Sequence, residues 1–270
     1  MIRLVRSEVF KLRTVWSTWL LVGLTAVLIA GLSALVGLVP HHRAVNFPAK
    51  GTAAWFDVLF SVMGLAVDLA LVLGAIMITS EFRHKTVTPT FLAEPRRGRM
   101  AAAKLIVALG GGLALVIVAG MVGLVYGLAS VAAGVGGSAV VPGATMGTML
   151  TEFRHVWPGL AAAAVLFGAY GVGLGALLKN QVVTIVVALV ALAVVEPIVG
   201  TAVPSVGRWL PGYAAMALES VAANARMHAA FGATSSVHLL VWWAGALVII
   251  GYGVVLAALG SFTTLRADVT

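Results

Sequence analysis

Val15-Trp-Ser-Thr-Trp-Leu-Leu-Val-Gly-Leu-Thr-Ala-Val-Leu-Ile-Ala-Gly-Leu-Ser-Ala-Leu-Val-Gly-Leu-Val39 continues for about 25 residues without a charged side chain. The hydrocarbon core of a bilayer is about 30 Å thick, and a helix rising about 1.5 Å per residue needs about 20 apolar residues to cross it. The stretch therefore fits a membrane span. It follows a basic segment, as the core of a secretory signal does, but a signal core has only about 7 to 15 apolar residues. No A-x-A-like cleavage site follows it, so a retained helix is expected.

Moving outward, five further segments are long and apolar enough: Val58 to Ser80, Leu105 to about Gly134, Trp157 to Leu178, Val182 to about Val203, and Leu239 to about Gly260. No charge occurs from Leu105 to Thr151, and the cluster Gly134, Gly136, Gly137, Ser138, Pro142 and Gly143 supplies the break between the third and fourth segments. The whole chain of 270 residues is 61% hydrophobic and 10% charged, with a mean hydropathy of +1.08, more apolar surface than a soluble fold of this size can bury. A transmembrane barrel would alternate polar and apolar residues in segments of about ten, and these runs do not. The expected fold class is an all-α membrane protein, one transmembrane domain over residues 1–270 with six spans. The absence of cysteine excludes a disulfide framework, a thiolate nucleophile and a thiolate metal site.

Lys and Arg set the orientation. With the N-terminus inside, Arg3, Arg6, Lys11, Arg13, Arg83, Lys85, Arg96, Arg97, Arg99, Lys104, Lys179 and Arg266 are cytoplasmic, leaving Arg43, Lys50, Arg154, Arg208 and Arg226 outside, five of the seventeen. The positive-inside rule thus puts both termini in the cytoplasm, as an even number of spans requires; the expected location is the inner membrane of a bacterium. The net charge of +8 is explained by this topology, so nucleic acid is not expected as a partner. Ahead of the first span, Ile2, Val5, Val9, Leu12 and Trp16 recur at helical spacing while Arg3, Arg6 and Arg13 fall off that stripe, which predicts an amphipathic interfacial helix over 1–14. Such a helix serves as a topogenic anchor on anionic lipid or as an elbow that also touches a cytoplasmic partner. Ser205 to Ser236, rich in polar residues and breakers, predicts one or two short external or re-entrant helices before the last span. No internal repeat of fixed period is visible, which weighs against an inverted-repeat transporter.

The most charged stretch, Ser80-Glu-Phe-Arg-His-Lys-Thr-Val-Thr-Pro-Thr-Phe-Leu-Ala-Glu-Pro-Arg-Arg-Gly-Arg-Met-Ala-Ala-Ala-Lys104, joins the second and third spans. Glu81 is one turn from Lys85, Pro89 and Pro95 punctuate the stretch, and Thr86 to Glu94 is long enough for a short interfacial helix that presents Val87, Phe91 and Leu92. An ordinary positive-inside loop is the plainer alternative. The chain resembles the type-2 ABC transporter permeases, in particular their short six-helix actinobacterial kind. In that family an acid ends the second span, followed by a basic residue, a Thr, an apolar pair, Pro, Arg, and a Lys that opens the third span. Glu81, Arg83, Thr86, Phe91, Leu92, Pro95, Arg97 and Lys104 match in order and spacing. Lys85 departs from the pattern, because a Gly commonly precedes that Thr. Outside this connector the resemblance is one of architecture.

The resemblance implies that residues 81–104 form a coupling loop, with Glu81, Arg83, Thr86, Val87, Phe91, Leu92, Pro95, Arg97 and Lys104 meeting a separately encoded ABC ATPase. Two ATPase subunits would carry ATP and magnesium, two permease copies, a homodimer rather than a heterodimer, would sit in the bilayer, and a hydrophobic or amphipathic compound would leave the cell through a cavity lined by the first, second and fifth spans. The sequence itself has no G-x-x-x-x-G-K-[ST] phosphate loop, and Gly110-Gly111-Gly112 falls inside an apolar span, so no cofactor is expected on this chain and ATP hydrolysis is expected on the partner.

Within the spans, Asp68 sits near the middle of the second, where a charge costs about 3 kcal/mol or more, so it faces protein or a watery cavity. It either lines a translocation path or hydrogen-bonds a neighbouring helix. Glu196-Pro197 interrupts the fifth span, and Pro197 frees carbonyls one turn back, which predicts a kink or re-entrant turn with Glu196 near an outer gate. These acids also support an alternative, an ion- or proton-coupled secondary transporter using Asp68 and Glu196; an assembly subunit without transport is a third. Gly123 with Gly127 and Gly171 with Gly175 have the spacing of close helix contacts. Trp16, Trp19, Trp55, Trp157, Trp209, Trp242 and Trp243 fall mostly near span ends, as an aromatic belt would. The histidines form no H-E-x-x-H pair and no G-x-S-x-G occurs, so catalysis and a metal site are not expected.

Overall fold

A computed structural model of the chain describes residues 1–38, 47–84, 97–134, 146–219 and 237–265, giving the backbone alone at 97 and at 261–265. Every regular element among them is helical. Six helices are long and apolar enough to cross a membrane: Trp16–Leu38, Ala53–Arg83, Gly98–Ala132, Met146–Leu178, Gln181–Ala202 and Trp242–Gly260. The chain is a multi-pass helical membrane protein, with a helix over Ile2–Thr14 ahead of the first span.

Several spans are longer than their charge-free cores. The second starts at Ala53 rather than Val58, the third helix at Arg97 rather than Leu105, and the fourth at Met146 rather than Trp157, while the sixth runs Trp242–Leu265. Hydropathy marks only the part of a helix that must avoid water, and the helix continues where polar side chains reach it. Local caps fix two of the starts. The Trp55 backbone N–H donates to Thr52 Oγ1 at 3.2 Å, and those of Val182 and Val183 donate to Asn180 Oδ1 at 3.1 and 3.2 Å. Lys179, at φ 55°, makes the tight turn between the fourth and fifth spans.

Burial ranks the spans. Within its most apolar window the second is 78% buried and the fourth 61%, against 28% for the first and 17% for the fifth and sixth, so the second and fourth form the centre and the others present wide outer faces. The centre packs backbone against backbone. A Cβ on Gly74 would run into the Gly168 carbonyl, and one on Gly171 into the Leu71 carbonyl. Without a hydrophobic driving force between helices in lipid, such close approach supplies the attraction. Gly171 and Gly175 thus lie against the second span, Gly175 within 3.0 Å of the Ala75 carbonyl for an added Cβ, while Gly123 and Gly127 take the side chains of Met63 and Met149.

Trp55 departs from the aromatic belt. It is fully buried at the end of the bundle away from the N-terminal helix, edge-on to Phe56 at 5.1 Å, in a group continued by Phe60, Phe153 and Trp157. The central span has no outer face there for a belt residue to occupy. Trp16, Trp19, Trp209, Trp242 and Trp243 are exposed. Beyond the fifth span come two short helices, Pro204–Gly207 and Pro211–Leu218; residues 220–236 lie outside the described residues.

Candidate functional site: a buried charge cluster and an acid-lined cavity

The end of the bundle that carries the N-terminal helix holds four ionic side chains in one group. Lys104, 3% exposed, donates from Nζ to Glu8 Oε2 at 2.9 Å and to Glu81 Oε1 at 2.6 Å. Lys11 donates to the other oxygen of Glu8 at 2.6 Å and to Glu81 Oε1 at 3.1 Å. Three elements are joined: the N-terminal helix, the end of the second span and the start of the third. Burial alone would push the Glu8 carboxyl up. The Lys104 ammonium and the hydrogen bonds from Lys11 and Lys104 outweigh it and hold Glu8 below the ordinary carboxylate range. Burial would likewise lower Lys11, but its bonds to Glu8 and Glu81 raise it above the ordinary lysine value.

The residues expected on the connector separate into two sets. Glu81 and Lys104 close its base and point inward, so Lys104 presents no charge to the outside. Arg83 is exposed and donates to Gln181 Oε1 at 3.4 Å, linking the end of the second span to the start of the fifth. Arg97 is the first residue of the third helix. Thr86, Val87, Phe91, Leu92 and Pro95, and with them the short helix expected over Thr86 to Glu94, lie outside the described residues, as does Lys85.

A cavity of about 620 Å³ opens among the first, second and fifth spans and the helix Pro211–Leu218. Leu32, Leu35 and Val36 wall it from the first span, Leu65 and Leu69 from the second, Leu189 and Leu192 from the fifth, and Phe167 forms part of the wall from the fourth. Among the described residues two carboxylates reach it, Asp68 and Glu219. Asp68 lies midway along the second span, as expected, and it lines this space instead of being taken up by a neighbouring helix.

Glu196 is 5% exposed and stands where a π-helical turn over Ala191–Val195 gives way to the helix Glu196–Ala202. Pro197, with no N–H to give, follows the wide turn that absorbs the interrupted ladder. The expected break is therefore a π turn. The Glu196 carboxylate accepts from the Gly212 backbone N–H at 2.7 Å and also from that of Tyr213, so it caps the first turn of Pro211–Leu218. Leu210 at the cap position has no side chain able to do so. Gly212 also lines the cavity, so the capped turn forms part of its wall.

Asp68 thus lines the cavity, Glu196 meets its wall only through Gly212, and Pro197 is exposed and does not line it, while Glu81 and Lys104 belong to the charge cluster. Sequence reasoning missed Glu8 and Lys11 as partners of the connector and Glu219 as a wall residue. A signal for the first existed: Glu8 is the only acid in the N-terminal helix and lies beside its apolar stripe. Among the described residues no three His, Asp or Glu side chains form a metal-holding group. No protein-family model matches the chain, and no curated protein matches it.

Proposed function

We propose that this chain is the membrane half of an ATP-driven exporter of the ABC type, lying in a bacterial inner membrane with both termini in the cytoplasm. The observation that carries the proposal is the Glu8–Lys104–Glu81–Lys11 cluster. It ties the two ends of the basic connector to each other and to the N-terminal helix. A force applied to the connector reaches the second span, the third span and the N-terminal helix as one body. The second span in turn walls the cavity that holds Asp68, so displacement at the connector repacks the cavity. Arg3, Arg6 and Arg13 are exposed on the N-terminal helix together with Ile2 and Phe10, a mixture suited to an anionic lipid surface.

In this proposal the connector residues Thr86, Val87, Phe91 and Leu92 grip an ATPase subunit, which holds ATP and magnesium. Two permease copies and two ATPases make the working unit, and closure of the ATPase pair shifts the cavity from inward-open to closed or outward-open. The cavity walls, formed from the first, second and fifth spans, suit a hydrophobic or amphipathic cargo. Affinity purification of the tagged chain from its native membrane tests this. The eluate should hydrolyse ATP, reconstituted vesicles should show ATP-stimulated flux, and Phe91→Arg or deletion of Val87 to Glu94 should remove both. Full flux without any nucleotide would end the proposal.

A second reading, coupling to a proton gradient, is favoured by the placement of Asp68 on the cavity wall. Glu196 supports it less, because its carboxylate is committed to capping a helix. Flux driven by a pH gradient in ATP-free vesicles, lost on Asp68→Asn, would establish this second reading.

A further inference from the structure

We propose that the cavity takes cargo that is both apolar and positively charged, a lipophilic monocation whose charge pairs with Asp68. This inference rests on the transport reading above and names its substrate class. The volume of about 620 Å³ suits a drug-sized molecule. The wall is built mainly from leucine, valine and phenylalanine, which favours an apolar body. Its charged groups among the described residues are Asp68 and Glu219, both acidic, and none of the described lysines, arginines or histidines lines it. An anionic cargo would be repelled, and a neutral one would leave the carboxylate without a counter-charge in a low-dielectric space.

The treatment of the other acids strengthens the point. Glu8 and Glu81 are met by lysines, Glu196 by backbone amides, and buried Asp57 also has a partner. Asp68 has neither a hydrogen-bond nor an ion-pair partner among the described residues, although it sits at mid-span where an unmatched carboxylate is most costly. A fold that satisfies its other buried acids and leaves this one open to a drug-sized cavity reserves it for an incoming cation. Glu219, at the end of Pro211–Leu218 and close to Gly64, is a second acid at the same wall.

The test uses the purified full-length chain in lipid nanodiscs, without an ATPase. Tetraphenylphosphonium and tetraphenylborate have nearly the same size and shape and opposite charge. Equilibrium binding of the cation should be saturable, the anion should not compete, and Asp68→Asn should weaken cation binding about tenfold or more. Equal binding of both ions by the wild type would overturn the inference without reference to any variant. So would unchanged cation affinity in a folded Asp68→Asn protein, or a cavity held by co-purified phospholipid that the cation does not displace. The transport reading fails separately. A chain that binds the cation but shows no ATP-stimulated flux keeps the cavity assignment and loses the motor, whereas ATP-stimulated flux of a neutral amphipath without cation binding does the reverse.

Discussion

At the scale of single residues, Lys104 concentrates the most interaction in the least exposed place. Its ammonium has two carboxylate partners, and removing it takes the buried cation away from both Glu8 and Glu81 while Lys11 stays bonded to each. Breaking a buried pair from one side costs about 3–5 kcal/mol, so Lys104→Met should lower stability by that order, measured by unfolding in detergent. An unchanged midpoint would mean that the cluster contributes nothing to holding the three elements together. The cluster also sets a pH dependence. Glu8 is held below its ordinary value of 4.5, so its contribution is present above that pH and is lost as the pH falls through the lowered value. Lys11 is raised above 10.5, so its contribution is present below that pH and is lost as the pH rises through the raised value. Between about pH 5 and about pH 10 these two groups give a flat stability profile, and Glu8→Gln should be less stable on that plateau with a shallower acid limb. Glu196 has a different role: as a cap it tolerates no bulk at Gly212, where a Cβ would come within 2.5 Å of its Oε2. Gly212→Ala should cost about 1–2 kcal/mol, the loss of a helix cap, and Glu196→Ala a similar amount, read by the same unfolding measurement.

At the scale of elements, the fold was largely legible and the site only in part. Charge-free runs such as Val15 to Val39 identify spans because lipid imposes one strong rule on any sequence that crosses it. Span ends were less legible, because the Glu152-Phe-Arg-His155 stretch reads as loop yet continues the fourth helix below its apolar core. Asp68 and Glu196-Pro197 stood out because an acid or a proline among aliphatics is a local anomaly. Glu8 and Lys104 did not reveal each other, since their pairing spans 96 positions and depends on how the N-terminal helix settles on the bundle. The glycine pairs announced contact without saying whether a backbone or a side chain would fill it. That difference is testable. Gly171 faces the Leu71 carbonyl, which cannot step aside, whereas Gly123 faces the movable Met63 side chain. Gly171→Leu should therefore disrupt the contact of the second and fourth spans by more than the usual 1–3 kcal/mol or so of an overpacked core, and Gly123→Ala by less. Loss of a monodisperse peak in detergent for Gly171→Leu, and its retention for Gly123→Ala, is the expected result.

At the scale of the molecule, two ends with different characters are held apart by the bundle. One end gathers the N-terminal helix, the base of the connector and the Lys179 turn, elements that carry Lys11, Arg13, Arg83, Arg99, Lys104 and Lys179. The other gathers the buried Trp55 group and the helices Pro204–Gly207 and Pro211–Leu218. Six spans alternate between these ends, so a residue in the Lys179–Asn180 turn and one in the N-terminal helix must share a side, and one at Trp209 must lie opposite. In the orientation we propose, the first end, with its excess of basic residues, faces the cytoplasm. Because the native chain has no cysteine, single introduced thiols report without background. Ser7→Cys and Asn180→Cys should react with a membrane-impermeant maleimide only after the membrane is opened, and Trp209→Cys should react in intact cells. Labelling of Asn180→Cys from outside would invert or break the six-span path, and it would place the connector beyond the reach of any cytoplasmic motor.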